Sequence, residues 1–165
     1  MTSADDLVQS SVIRPLLHLL DSFDREIVAL YDDVGVSGFR SRFAGPLIQL
    51  GRRGPQTVRE LADGREVTHS AMSQTVSAMR RDGFVEDAPG GRDARTRRVQ
   101  VTEKTRGLLT FLEAEWRATE TTMRELDAEI PYPLTRVVAD LSEAVAQHPF
   151  ADRLRANLDL FLTAT

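Results

Sequence analysis

The amino-acid sequence predicts a mainly α-helical protein with one small β-hairpin, in which a helix-turn-helix and the hairpin behind it lie between two helical arms. Three observations carry that expectation. Apolar residues recur at alternating spacings of three and four near both ends of the chain. Two threonine cap signals follow one another in the middle. Pro89-Gly90-Gly91 then separates two runs with β character.

The arms come first. Leu16, Leu20, Phe23, Ile27, Leu30 and Val34 fall on one face of a helix running to about Val34, with Pro15 near its first turn. Leu109, Leu112, Trp116, Thr119, Met123, Leu126 and Ile130 repeat the pattern on a helix that opens at Thr102 and stops before Pro131. At a rise of about 1.5 Å per residue this second helix is roughly 40 Å long. Two further amphipathic segments, 134–147 and 150–162, follow on either side of His148-Pro149. So much apolar stripe suits a partner subunit; folding back onto one core is the other solution.

Between the arms the pattern shortens. Residues 41–52 read as a helix ended at Arg53-Gly54-Pro55, with Gly45 and Pro46 near its opening. Thr57-Val58-Arg59-Glu60 has the spacing of a capping box, in which hydroxyl and carboxylate each satisfy a free amide at the start of a helix through about Ala62. After the turn 63–67, Thr68 caps another helix running to Asp82, and Gly83 suits its left-handed end. Two short helices joined by a tight turn form a helix-turn-helix candidate.

The second of these helices, THSAMSQTVSAMRR, separates its faces. Ala71 or Met72, Val76 and Met79 turn inward, while Thr68 at the cap and His69, Ser70, Ser73, Gln74 and Ser77 face out, with no carboxylate before Asp82. A small, polar, acid-free face fits a major groove of about 12 Å, where Gln74 could pair with adenine and the serines could reach bases or phosphate. Residues 84–88 and 96–101 then make the hairpin, with Val99 and Val101 alternating inward against Arg98 and Gln100.

The hairpin carries Arg92, Asp93, Arg95, Arg97 and Arg98. Taken alone it is a solvated turn or a surface for a polyanion; directly after an acid-poor helix, the second reading is the stronger. Charge distribution agrees. The chain has a net charge of −4, yet residues 52–106 hold 12 basic and 8 acidic side chains, against 9 basic and 17 acidic elsewhere. All but one of the basic residues are arginine, whose planar fork suits phosphate and base edges.

Here the residues resemble the MarR family of bacterial transcription regulators. The resemblance runs from Val58-Arg59-Glu60-Leu61-Ala62, through residues 68–85, to Asp93-Ala94-Arg95 and Val99-Gln100-Val101-Thr102, which is similar to the family's D-x-R and following L-T signature. Val101 stands for the usual leucine, the expected glycine is displaced to Gly107, Gln74 stands where arginine is common and Thr75 where leucine is usual. The resemblance implies a winged helix-turn-helix over residues 37–102, flanked by an N-terminal dimerisation helix over 1–36 and C-terminal dimerisation helices over 103–165. It implies a homodimer on pseudo-palindromic duplex DNA, with Ser70, Ser73, Gln74 and Ser77 on the reading helix and Asp93 orienting the wing arginines. It also implies a repressor relieved by a small aromatic or phenolic acid, for which His18, Tyr31, Phe39, Arg42, Phe43 and Trp116 are candidate pocket residues. Core packing is the stronger reading of those aromatics, since aromatics at helical spacing are usually interior.

Other classes fit less well. Without cysteine there is no disulfide, thiolate metal site or thiol switch. His18, His69 and His148 are isolated, and neither a nucleophile motif nor a phosphate-binding glycine loop is present, so no enzyme, metal or cofactor is expected. Asp5 and Asp6 occupy the place where a secretory signal would be basic, and no apolar run reaches the roughly 20 residues of a membrane span, so a cytoplasmic protein without membrane contact is expected. A dimeric scaffold of this fold that binds protein instead of DNA is the competing reading.

Overall fold

A computed structural model describes residues 11–89 and 97–163. Among them, seven helices and two strands follow in order: α1 (Arg14–Asp33), α2 (Ser41–Arg53), α3 (Val58–Asp63), α4 (His69–Arg81), β1 (Val85–Asp87), β2 (Val99–Val101), α5 (Glu103–Glu129), α6 (Leu134–Gln147) and α7 (Phe150–Thr163). The chain divides into two compact units, Met1–Ala114 and Glu115–Thr165. A mainly helical chain with one small antiparallel hairpin is thus what the sequence predicts and what forms. No helix among the described residues is long and apolar enough to cross a membrane.

The first unit is organised by its helix ends. Pro15 lies in the first turn of α1, where its missing amide costs nothing. At the other end Gly35, with φ of 77°, turns the chain, and the amides of Gly35 and Val36 donate to the carbonyls of Asp32 and Tyr31 at 2.9 and 2.8 Å. α2 tolerates Pro46 inside it, giving up one backbone bond near its opening. The capping box of α3 forms as predicted: the Glu60 amide donates to Thr57 Oγ1 at 3.2 Å and the Thr57 amide donates to Glu60 Oε2 at 2.7 Å.

α4 closes in a paired-amide turn at Gly83, whose φ is 77°. The Gly83 amide donates to the Arg80 carbonyl at 3.2 Å and the Phe84 amide to the Met79 carbonyl at 2.8 Å. Because Phe84 belongs to this cap, β1 begins one residue later than the hairpin pattern suggests.

The strands pair Val85 with Val101, Glu86 with Gln100 and Asp87 with Val99. A further bridge, invisible in the sequence pattern, joins Gln56 to the other edge of β2: the Gln56 amide donates to the Val99 carbonyl at 3.0 Å and the Val99 amide returns the bond at 2.8 Å.

The core beneath these elements is aromatic. Tyr31 stacks on Phe39 with ring centroids 3.5 Å apart, Phe43 meets Phe84 edge-on at 5.7 Å, and Phe111 meets Tyr31 edge-on at 5.2 Å. Leu47, Leu50, Leu61, Met72, Val76, Met79, Val85, Val99, Val101 and Leu112 complete it. Most of the α1 stripe stays outside this core: Leu16, Leu20, Leu30 and Val34 are 37 to 51% exposed.

The second unit is built around exposed helices. The Asp127 carboxylate accepts from the Leu134 amide at 2.6 Å and from the Thr135 hydroxyl, placing a negative charge at the positive end of α6. Those bonds, led by the Thr135 hydroxyl, hold its carboxyl below the usual range. Arg153 donates to the carbonyls of His148 and Ala144 and so caps the other end of α6. Neither α6 nor α7 contains a buried residue, although Val137, Leu141 and Val145 form one apolar stripe and Leu154, Leu158 and Leu162 another.

Phe43, wholly buried between Phe39 and Phe84, tests the aromatic core. Phe43→Ala should lower unfolding free energy by about 3–5 kcal/mol, read as a lower denaturant midpoint at unchanged slope.

Candidate nucleic-acid interface

Four buried side chains fix the rotation of α4: Met72, Val76, Ala78 and Met79 are each no more than 6% exposed. Their spacing commits the opposite face to solvent, and His69, Ser70, Gln74 and Ser77 are exposed there, with Ser73 half-buried beside them. Thr68 fixes the start of the helix by accepting from the Ala71 amide at 3.2 Å. Thr75 satisfies its hydroxyl on its own helix, donating to the Ala71 carbonyl at 3.0 Å. Of the six positions predicted to form the face, five therefore lie in α4 and Thr68 caps it, and all but Ser73 are open.

The acid that ends this face is drawn inward. The Asp82 side chain is 19% exposed, with Arg40 at 3.7 Å and Arg81 at 3.2 Å. Arg80 spans to the hairpin, where it meets Asp87 at 2.6 Å. The outer surface of α4 thus keeps its acid-free character over its whole length, and the first helix of the pair, α3, packs against it.

The hairpin divides its arginines. Arg92, Asp93 and Arg95 lie outside the described residues. Arg97 is exposed just before β2. Arg98 points back to the body: its guanidinium donates to the Pro55 carbonyl at 2.8 Å and to Glu60 Oε1 at 3.0 Å. Glu60 accordingly bears two duties, capping α3 and receiving Arg98. The Thr57 amide is the largest influence holding its carboxyl below the usual glutamate value, with the Thr57 hydroxyl and Arg98 adding to it.

Sequence reasoning missed several supports of this surface. Gln56 is buried at 6% exposure, and its side chain accepts from Gln49 at 2.7 Å. Thr105 is also buried and donates to the Phe84 carbonyl at 2.8 Å. A buried amide or hydroxyl needs a partner, but one from a distant segment leaves no local pattern to read.

The effector candidates differ in burial. Tyr31, Phe39 and Phe43 are core rings, each no more than 3% exposed, so in this conformation they pack the interior. His18 and Arg42 are exposed in the first unit, and Trp116, 37% exposed, belongs to the second.

The family model described as MarR family matches residues 47–96, the segment from the middle of α2 through α3, α4 and β1. Over that segment the chain is similar to the MarR family. Solved structures extend the likeness of MarR-type fold beyond that segment. The Mycobacterium tuberculosis transcriptional regulator MOSR in complex with DNA is 20% identical, with 86% of this chain and 100% of that chain covered at a TM-score of 0.54. Overoxidized AbfR bound to DNA is 13% identical, with 89% and 98% covered at 0.53. The heme sensor protein PefR from Streptococcus agalactiae is 14% identical, with 87% and 97% covered at 0.53. At such identities these likenesses establish the fold. No curated protein is significantly similar to the chain.

Helix α4 depends on its cap. Thr68→Ala should cost about 1 kcal/mol of unfolding free energy, whereas Thr68→Gly should cost only a few tenths. An unchanged unfolding free energy in Thr68→Ala would show that the hydroxyl bond to Ala71 does not stabilise the helix.

Proposed function

We propose that the protein is a homodimeric transcription regulator that binds pseudo-palindromic duplex DNA through α4 and the hairpin. The observation that carries this reading is the outer face of α4. Ser70, Gln74 and Ser77 are exposed with Ser73 half-buried beside them, the helix is held by a buried apolar face, and the Asp82 carboxylate that ends it is turned inward. An ordinary solvated helix mixes acids with bases; a face that meets DNA must avoid acids.

In this reading Thr68, His69, Ser70, Ser73, Gln74 and Ser77 face the major groove, Gln74 supplying base preference. Arg92, Arg95 and Arg97 follow the phosphates, with Asp93 orienting them. Residues 37–102 form the DNA-binding part. Residues 1–36 and 103–165 pair two copies, a role favoured by the exposed leucine stripes of α1, α6 and α7. Two reading helices then lie about 34 Å apart, one helical turn of DNA. The finer reading, drawn from the family resemblance, is a repressor that releases its operator when a small aromatic or phenolic acid binds.

Selection of bound duplexes from a random pool tests the whole reading. Enriched inverted repeats, lost on adding aromatic acids, are the expected result. Protein that elutes as a dimer but enriches no duplex would instead support the protein-binding scaffold. Within the site, Gln74→Ala should relax base preference by about 1–3 kcal/mol at one position of each half-site. Arg97→Ala should weaken all duplexes alike and reduce the log-log salt slope by about 0.9.

A further inference from the structure

Arg98 stands among the hairpin arginines in sequence but is bonded to a different partner. It sits one residue before β2, where the hairpin joins the body of the first unit. One guanidinium nitrogen, Nη1, donates to the Pro55 carbonyl at 2.8 Å, and the other, Nη2, donates to Glu60 Oε1 at 3.0 Å. Glu60 uses its second oxygen to accept from the Thr57 amide at 2.7 Å and hydroxyl at 3.0 Å. Next to this fork, Gln56 and Val99 exchange two backbone bonds. The segment from Pro55 to Glu60 is thus joined to the start of β2 by the Arg98 fork and by the main-chain bridge beside it.

We infer that Arg98 is a positioning residue, a latch that fixes the base of the hairpin to the capping box of α3 and so sets the hairpin's direction relative to α4. It is not a phosphate contact. Arginine is the residue for this task, because a planar fork fixes a direction between a neutral carbonyl and a carboxylate, whereas lysine supplies only a point charge. Both side chains are about half exposed, at 49% and 47%, so the ion pair contributes little as Coulomb energy. Its effect is geometric. The same carboxylate that starts the helix-turn-helix thereby also orients the hairpin, and the two parts of the interface share one anchor.

The inference rests on the proposed DNA-binding reading for its effect on affinity, but the latch has a readout of its own. Glu60→Gln keeps the capping box, since glutamine serves at that position with its one amide oxygen on the Thr57 amide, and it turns an NH2 donor toward Arg98, removing both the charge and the bond that Arg98 makes to Glu60. The two roles for Arg98 then predict opposite signs. A phosphate contact would be freed by Glu60→Gln, with one repelling charge fewer, and DNA would bind more tightly. A latch would be loosened, and binding to a mixed-sequence duplex should weaken about fivefold.

Arg98→Ala and Arg98→Lys should weaken it similarly without altering the log-log salt slope; loss of a phosphate contact would reduce that slope by about 0.9. Without DNA, hydrogen exchange at the Gln56 and Val99 amides should speed up about tenfold in all three variants. Tighter DNA binding by Glu60→Gln, a flattened slope in Arg98→Ala, or unchanged exchange in all three would overturn the latch. Wild-type protein that binds no duplex would sink the DNA-binding reading, and exchange at Gln56 and Val99 would still decide the latch.

Discussion

The main chain at Phe84 ties the end of α4 to the start of α5, and the proposed interface depends on that tie. Its amide closes α4 on the Met79 carbonyl at 2.8 Å. Its carbonyl accepts from the Thr102 amide at 3.1 Å and from the buried Thr105 hydroxyl at 2.8 Å. The same Thr102 starts α5 by accepting from the Thr105 amide at 3.3 Å. The ring between these groups, 1% exposed, packs against Phe39 and Phe43. One residue therefore sets where α4 ends, where the hairpin begins and where the long helix departs. Moving it would shift all three together, because a close-packed interior does not deform by small amounts.

That tie explains how a modest helix can present so specific a surface. α4 is short, and short helices owe their persistence to packing more than to propensity. Here Met72, Val76, Ala78 and Met79 are buried while the outward residues are polar, so the helix is held from its inner side. Its placement comes wholly from beneath and from its two ends: Thr68 at one, Gly83 and Phe84 at the other. Serines at the surface cost little to desolvate and hold few bonds of their own, which leaves them available to an incoming polar partner.

How much of this was legible follows from the range of each signal. Thr57, Glu60, Thr68 and Gly83 act on amides within four residues, so their spacing alone predicts the caps that form. The inward faces of α4 and β2 obey periods that a single segment displays. The turn between α3 and α4 was harder: Gly64 draws the eye, but it stays right-handed and Glu66 takes the positive φ of 54°. Contacts across the chain left no trace at all. Neither the Gln56 bridge to Val99 nor the turning of Arg98 toward Glu60 has a local period. In sequence Arg98 looks like its neighbours in the same basic run, and only the position of Pro55 and Glu60 in space distinguishes it. The tip holding Arg92, Asp93 and Arg95 lies outside the described residues, so its part in the site rests on the sequence resemblance.

Charge gives the proposed function a constraint that the fold alone does not. Residues 52–106 carry a net +4 inside a chain of net −4. If the middle segment meets DNA, the acidic arms are repelled by the same phosphates, and at low salt this narrows the orientations in which a subunit can approach. The exposed leucines of α6 and α7 face the opposite requirement, since apolar stripes left in water favour burial against another surface. In the proposed reading, repulsion would keep the arms off the duplex while apolar burial would draw them to a partner chain. A protein whose arms bind one another and whose middle binds DNA satisfies both demands; a monomer on DNA would leave the second unmet.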